Sequence, residues 1–475
     1  MQKLIAVSAS SLAALATTAM LSALAVGALA VTTTASAQPA FGPGGAGPRQ
    51  PTNQNLPKTP TAVKLPTLSA EVTGPGPMFN SAPSQAKGLD LEHFGYATKE
   101  YFASGTADDK PYTTRIVVRI PRDARKFSGL VLAESMHVSG AAHAFEFTAA
   151  YVMDSGRAAV EILTTSQDQF VAMNAARYSK LAIADGQQDE IIAQVGALVR
   201  SKSALTGGAA VRKMVMSGSS MSSGTLINYL PAHLVYRTPD MQRIFDGFMP
   251  TSVGATIMDI DVPLIQLPTM HEVETNVPRR QDSDEPGKQF RLYEIAGIGH
   301  VDSRDNVRLH PNPCAKPLST FPQQAYMSLG LYHLLRWVDQ GISPPHATRV
   351  LLDRDTSNDG STMALDAHGN PLGGMRSPYV DVPTAKYTPF NTAAEPLIAN
   401  PSAYVAANGL QGAQTMCRLS AYQEPLSKEE LRKLYGSKRD YAKKVETRLD
   451  ELEHEGWSLS LYRPMILADA AAIDF

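Results

Sequence analysis

The chain has 475 residues, and its 43 Lys+Arg against 45 Asp+Glu leave a formal net charge of −2. That balance excludes a basic nucleic-acid footprint, and no Lys/Arg run reads as a polybasic membrane patch. With 19% charged and 43% hydrophobic residues the chain is no disordered tail protein, and two cysteines exclude a disulfide-rich scaffold or a multi-Cys metal cluster.

The first 37 residues read as a secretion signal. Lys3 supplies a positive start, Leu4 to Val31 is rich in Ala and Leu without a charge, and Ala35-Ser36-Ala37 is a small-x-small cleavage site. The competing reading is a membrane anchor, because the uncharged stretch is long enough to span. Interspersed Ser and Thr dilute it, and the cleavage motif follows at the right place. The expectation is a chain that begins at Gln38 and is exported, either periplasmic or secreted. No integral membrane span remains once the signal is removed.

Residues 38–65 read as a linker, crowded with Pro39, Pro43, Pro48, Pro51, Pro57 and Pro60 and a glycine cluster at Gly42 to Gly47. From Pro66 to the C-terminus (66–475) the pattern predicts one large domain. Thr113 to Ile120 is β-branched and alternating, a strand suited to an antiparallel edge. Short apolar runs follow at Leu130–Glu134, Ala158–Leu163, Lys213–Met216, Ile244–Met249, Pro263–Leu267 and Phe290–Ile295. Helical patterns lie between or after them at Ala144–Asp154, Asp189–Lys202, Gly224–Tyr229 and Gln323–Gln340. Apolar strands separated by helices predict an α/β fold, with a mostly parallel, doubly wound sheet covered on both faces. Beyond Gly341 the chain turns Pro- and Gly-rich and then charged and helical over Ser427–Glu455. That tail is expected to wrap around the domain.

The run Lys213–Met216 leads into Ser217-Gly218-Ser219-Ser220-Met221-Ser222-Ser223-Gly224 and then a helical pattern. Strand, sharp turn and helix form the setting of a nucleophile elbow. Small residues two positions either side of the serine are needed because the turn is tight. Centring on Ser220 or on Ser222 both fit; Ser220 is favoured because Gly218 then takes the tight position. A plain Gly/Ser loop opening a helix is the structural alternative.

A serine nucleophile needs a base, and the base needs an orienting carboxylate. His300 follows Gly297-Ile298-Gly299 at the end of a predicted strand, where groups of an open α/β sheet converge. His271, His310 and His333 are its rivals. Glu272 lies just past the strand at Pro263–Leu267 and is the candidate acid, with Glu274, Asp259 and Asp261 as alternatives. For the oxyanion hole the expected N–H groups are that of Met221 and one within Val138–Ala141, with Val138 and Ser139 as candidates. His137 and His143 line the pocket or cap this loop. Cys314 and Cys417 are expected to form a disulfide in an oxidising compartment. It would close a loop of about 100 residues, stabilising by roughly 4 to 5 kcal/mol at most.

Taken together, these segments resemble the α/β-hydrolase domain family, a branch of the α/β-hydrolase superfamily found in bacteria. The likeness is carried by HFGYATKEYFASGTA, TTRIVVRIP, LVLAESMHVSG, MVMSGSSMSS, PLIQLPTMHEVE, FRLYEIAGIGHVD and HLLRWVDQGISPP, and runs from about Pro66 to near the C-terminus. Where the family elbow reads Gly-Glu-Ser-Gln-Ser, this chain has Gly218-Ser219-Ser220-Met221-Ser222. The family acid, usually Asp, falls on Glu272, and its histidine falls on His300. Asn-Val-Ser-Gly of relatives is His137-Val138-Ser139-Gly140 here. The resemblance implies a serine hydrolase that cleaves carboxylic esters through Ser220, His300 and Glu272, with a small-molecule or polymer ester as partner and no metal or other cofactor. A site that has lost catalysis and only binds, or a peptidase or lactonase on the same fold, are the alternatives. Oligomeric state is left open.

Overall fold

The computed structural model describes residues 56–85, 88–201, 204–274, 279–354 and 361–475. The predicted signal and most of the predicted linker lie outside the described residues. The end of the linker does not behave as one: Thr61–Ala62 pairs in parallel with Tyr236–Arg237, and the Val63 N–H donates to the Arg237 carbonyl at 2.9 Å. Val63 is buried, so its apolar side chain anchors this stretch to the domain.

The main sheet has nine strands: β1 (Thr67–Leu68), β2 (Tyr96–Ala107), β3 (Lys110–Pro121), β4 (Leu130–Ser135), β5 (Ala158–Ile162), β6 (Lys213–Ser219), β7 (Gly247–Thr251), β8 (Leu264–Gln266) and β9 (Phe290–Leu292). Their spatial order is β9-β8-β7-β6-β4-β5-β3-β2-β1. From β5 to β9 every pairing is parallel, whereas β3 is antiparallel to both neighbours. The expected antiparallel strand is therefore present, but it is not the edge. β2 pairs with it over its whole length through a two-residue turn, Asp108-Asp109, both with positive φ. Such a turn matches the twist of a hairpin. Sequence reading missed β2 because Lys99, Glu100 and Gly105 interrupt its apolar pattern.

Alternation along the strands supplies both cores. Leu132 and Val215 pack with α1 (His143–Asp154) and a later helix, through Phe145, Val152, Leu331 and Leu334. Val131, Ala133, Met214 and Met216 point the other way, against α2 (Gln188–Arg200) and α3 (Met221–Val235). Strands buried on both faces have no polar side to display, which is why they read as near-continuous apolar runs.

Further helices are α4 (Met270–Glu274), α5 (Gln323–Gln340), α6 (Ala403–Leu419), α7 (Lys428–Tyr435), α8 (Lys438–Glu455) and α9 (Arg463–Ala472), with short helices at Asp168–Met173, Ala175–Tyr178 and Pro378–Asp381. The charged tail is two helices, because Gly436 at φ 74° breaks it and Ser437 caps the second. Leu431, Val445, Leu449, Tyr462 and Ile466 join the same buried cluster as α1 and α5, and the Tyr462 hydroxyl meets Ser328 Oγ at 2.7 Å. The extension is thus continuous with the core. A small two-stranded antiparallel sheet, β10 (Ala385–Thr388) with β11 (Tyr422–Pro425), lies beside it. Among the described residues no helix is long and apolar enough to cross a membrane.

Candidate active site

Ser220 stands between β6 and α3 with φ 56° and ψ −120°. A β-carbon pays steric energy in that region, and residues held there cluster at functional sites. What holds it is local. A β-carbon on Gly218 would come within 2.6 Å of the Ser222 backbone carbonyl, so only glycine lets the strand pass so close to the helix. Ser222 Oγ donates to the Ser219 carbonyl at 2.9 Å and accepts the Ser219 N–H at 2.8 Å. Ser223 Oγ accepts the Thr251 N–H at 2.9 Å, which ties the elbow to β7. Between the two frames left open by the sequence, the geometry separates the serines clearly. Ser222 is buried inside the turn, while Ser220 reaches out of it.

Ser220 Oγ lies 2.8 Å from His300 Nε2, and His300 Nδ1 lies 2.5 Å from Glu272 Oε1. His300 sits in the loop after β9, and Glu272 on the short α4 after β8. The second Glu272 oxygen accepts the Thr269 N–H at 2.8 Å and the Thr269 hydroxyl at 2.7 Å. Burial alone would push this carboxyl up. The facing His300 and His271 and the Thr269 hydroxyl outweigh it and hold Glu272 down at about 2. The carboxylate is therefore ionised where a histidine needs orienting.

His300 is supported from behind. The Val301 N–H donates to the Leu419 carbonyl at 3.0 Å, and a β-carbon on Gly299 would lie 2.8 Å from the Ala421 nitrogen. Leu419 ends α6, which carries Cys417. Cys417 is joined to Cys314 in a disulfide 103 residues apart in sequence.

The rival residues are engaged elsewhere. His310 Nε2 faces the Ser303 carbonyl and His333 Nε2 the Gly456 carbonyl. Asp259 pairs with Arg280, and Asp261 with His233 and Arg243. Glu274 is pushed up to about 6 by burial. His271 packs edge-on against His300, ring centroids 5.3 Å apart, and burial lowers it to about 4. It is a neutral neighbour that sequence reading took only as a rival base.

The loop after β4 is braced on both sides. Glu134 accepts the Ala144 and Phe145 N–H groups at 3.0 and 2.9 Å, fastening the start of α1. Gly140 has φ 77°, and a β-carbon there would strike the Phe79 ring at 2.7 Å. Gln169 holds the Val138 carbonyl at 3.0 Å. Of the two loop amides considered, the Ser139 N–H already donates to His137 Nδ1 at 3.2 Å. The N–H groups of Val138 and Met221 carry no hydrogen bond among the described residues.

A separate cavity of about 320 Å³ is lined by Arg304, Tyr379, Tyr387, Gln423, Tyr441 and Asp469, among others. None of Ser220, Glu272 and His300 borders it. No group of three His, Cys, Asp or Glu side chains among the described residues is arranged to hold a metal ion.

A parallel sheet with an antiparallel start, a strained serine after its sixth strand, and an acid and a histidine from later loops together define an α/β-hydrolase fold. The α/β-hydrolase domain family matches residues 57–468, and the chain belongs to that family. No curated protein matches the chain. Among solved structures it is similar to esterase Est22, at 9% identity and a TM-score of 0.30, over 40% of this chain and 68% of that one. A cold-adapted esterase from an Arctic intertidal metagenomic library shows 15% identity and a TM-score of 0.24, over 42% of this chain and 83% of that one. Brefeldin A esterase, a bacterial homologue of human hormone sensitive lipase, shows 12% identity and a TM-score of 0.23, over 36% and 44% respectively. Likenesses this distant say nothing about substrate.

Proposed function

We propose that the chain is an exported serine hydrolase that cleaves carboxylic esters. The observation that carries this reading is the continuous line from Ser220 Oγ through His300 to Glu272, with Ser220 in strained backbone. Ser220 Oγ attacks the ester carbonyl while its proton passes to His300 Nε2. The carbonyl oxygen becomes an oxyanion, received by the N–H groups of Met221 and Val138. Glu272 holds the imidazole with Nδ1–H towards itself and stabilises the imidazolium. When the tetrahedral species collapses, the bond to the alcohol oxygen breaks and His300 returns the proton to it. Water then repeats the sequence on the acyl-enzyme and frees the acid.

Esters are preferred to amides here by analogy with the fold. The signal-like start and the Cys314–Cys417 disulfide support export, since such bonds persist in oxidising compartments. The test is intact mass after a fluorophosphonate probe, for the wild type, Ser220→Ala and Ser222→Ala. One adduct, lost only in Ser220→Ala, is expected. A folded wild type that takes no adduct overturns the enzyme reading in favour of a binding protein.

A further inference from the structure

The residue the proposed mechanism leaves unused is His137. In the parallel pairing of β4 with β6, Glu134 stands opposite Ser217. His137 lies in the loop after β4 and Ser220 in the turn after the adjacent β6, and His137 is near enough to His300 for the two imidazoles to interact electrostatically. His137 and Ser220 lie where the loops after adjacent parallel strands converge.

The proton on this imidazole can be located. Nδ1 receives the Ser139 backbone N–H at 3.2 Å and faces Ser139 Oγ at 2.8 Å. A backbone N–H can only donate, so Nδ1 is the acceptor nitrogen. In a neutral ring the hydrogen is then on Nε2. Neutrality follows from the surroundings: burial first, then the neighbouring His143, His300 and Arg308, keep His137 well below the ordinary histidine range. His143 packs edge-on against it at 4.9 Å between centroids, and its own Nδ1 faces Glu146 at 3.2 Å. Nε2–H of His137 has no hydrogen-bond partner among the described residues. The result is an uncharged donor, held by its far nitrogen, in the loop beside the elbow.

We propose that His137 is a further catalytic residue, whose Nε2–H is a third donor to the oxyanion formed on Ser220 attack. The inference rests on the serine-hydrolase reading above. As the Ser220 Oγ–carbon bond forms, the carbonyl π pair moves onto oxygen and the Oγ proton goes to His300. The His137 proton stays on Nε2 throughout and only strengthens its hydrogen bond. A neutral imidazole suits that role, because a charged one would favour binding a carboxylate product over stabilising a transient oxyanion. Two backbone amides and one imidazole would then converge on the charge that develops in the transition state.

Three substitutions separate catalysis from packing. His137→Asn keeps a side-chain oxygen that can accept the Ser139 N–H in an Asx turn, but withdraws the outer donor. His137→Phe keeps ring volume and removes both nitrogens. His137→Gln restores an N–H near the position of Nε2. On an activated ester, Asn and Phe should each lower kcat about 10²-fold with KM within about threefold, and Gln should recover to within about tenfold of wild type. A trifluoromethyl ketone, which forms an oxyanionic adduct with the serine, should lose affinity in parallel with kcat. Inhibition by the product alcohol should not change.

Folded Asn and Phe variants with wild-type kcat and ketone affinity would overturn the proposal. So would a rise in KM at constant kcat in all three, because that pattern belongs to a residue shaping the pocket. The fluorophosphonate adduct on wild type keeps the two failures apart. Its absence removes the serine-hydrolase reading and this one together; its presence with unaffected His137 variants removes only this one.

Discussion

The elbow and the histidine loop are built on opposite plans. Everything that shapes Ser220 lies within a few residues of it or on the adjacent strand: Gly218 leaves room, Ser222 closes the turn, Ser223 ties it to Thr251. His300 owes its position to residues remote in sequence, through Glu272 on one side and Leu419 and Ala421 on the other. A locally built group should fail only when its own few residues change. A remotely held one should fail by degrees, as distant supports are loosened.

The largest effect should come from Ser220→Ala, with kcat/KM for an activated ester down about 10⁴-fold or more. Next, Glu272→Gln should cost about 10³- to 10⁴-fold in kcat, since the amide cannot hold the same tautomer. The same carboxylate makes a stability prediction. Its folded-state pKa is depressed, so its contribution is present above the unfolded carboxylate range and lost as pH falls towards about 2. Between pH 5 and pH 2 the urea midpoint should drop more in wild type than in Glu272→Gln. An equal drop would mean that the His300 contact is not formed in solution.

Gly218→Ala and Gly299→Ala probe the two plans directly. The first forces a β-carbon into the elbow backbone and should destabilise by about 1–3 kcal/mol, with adduct formation lost. The second presses on Ala421 and should lower kcat while the Ser220 elbow still forms. Equal loss of adduct in both would erase the contrast. The smallest effect on rate at 25 °C should come from Cys314→Ser with Cys417→Ser. Their disulfide acts through α6 rather than on His300, and its loss should lower the melting temperature, with up to about 4 to 5 kcal/mol at stake for a loop of this length.

The same contrast governs what was legible in the sequence. Gly218 and the serines around Ser220 spell a tight turn because the turn's physics is local. Glu272 and His300 could be singled out because each follows an apolar strand, and strand ends of a parallel sheet converge. The pairing of Val301 with Ser420 left no such mark, since nothing in either segment names its partner. β2 was hidden for a related reason: its pattern is broken by Glu100, whose carboxylate is buried against Arg115 and Arg177. An ion pair satisfied across the fold looks, in sequence, like a surface charge. The Nε2–H of His137 was equally silent, because the tautomer depends on a loop amide two residues on.

The strap behind His300 also sets an order of events. Once residue 300 has been synthesised, all three members of the line from Ser220 to Glu272 exist. The segment that backs the last of them is still more than a hundred residues away. A nascent or truncated chain ending before Ala421 therefore holds all three groups but lacks one of the two supports that position His300. On the proposed serine-hydrolase reading, full hydrolytic power would arrive only with the C-terminal segment, and its delay until then would be written into the connectivity rather than into an inhibitor.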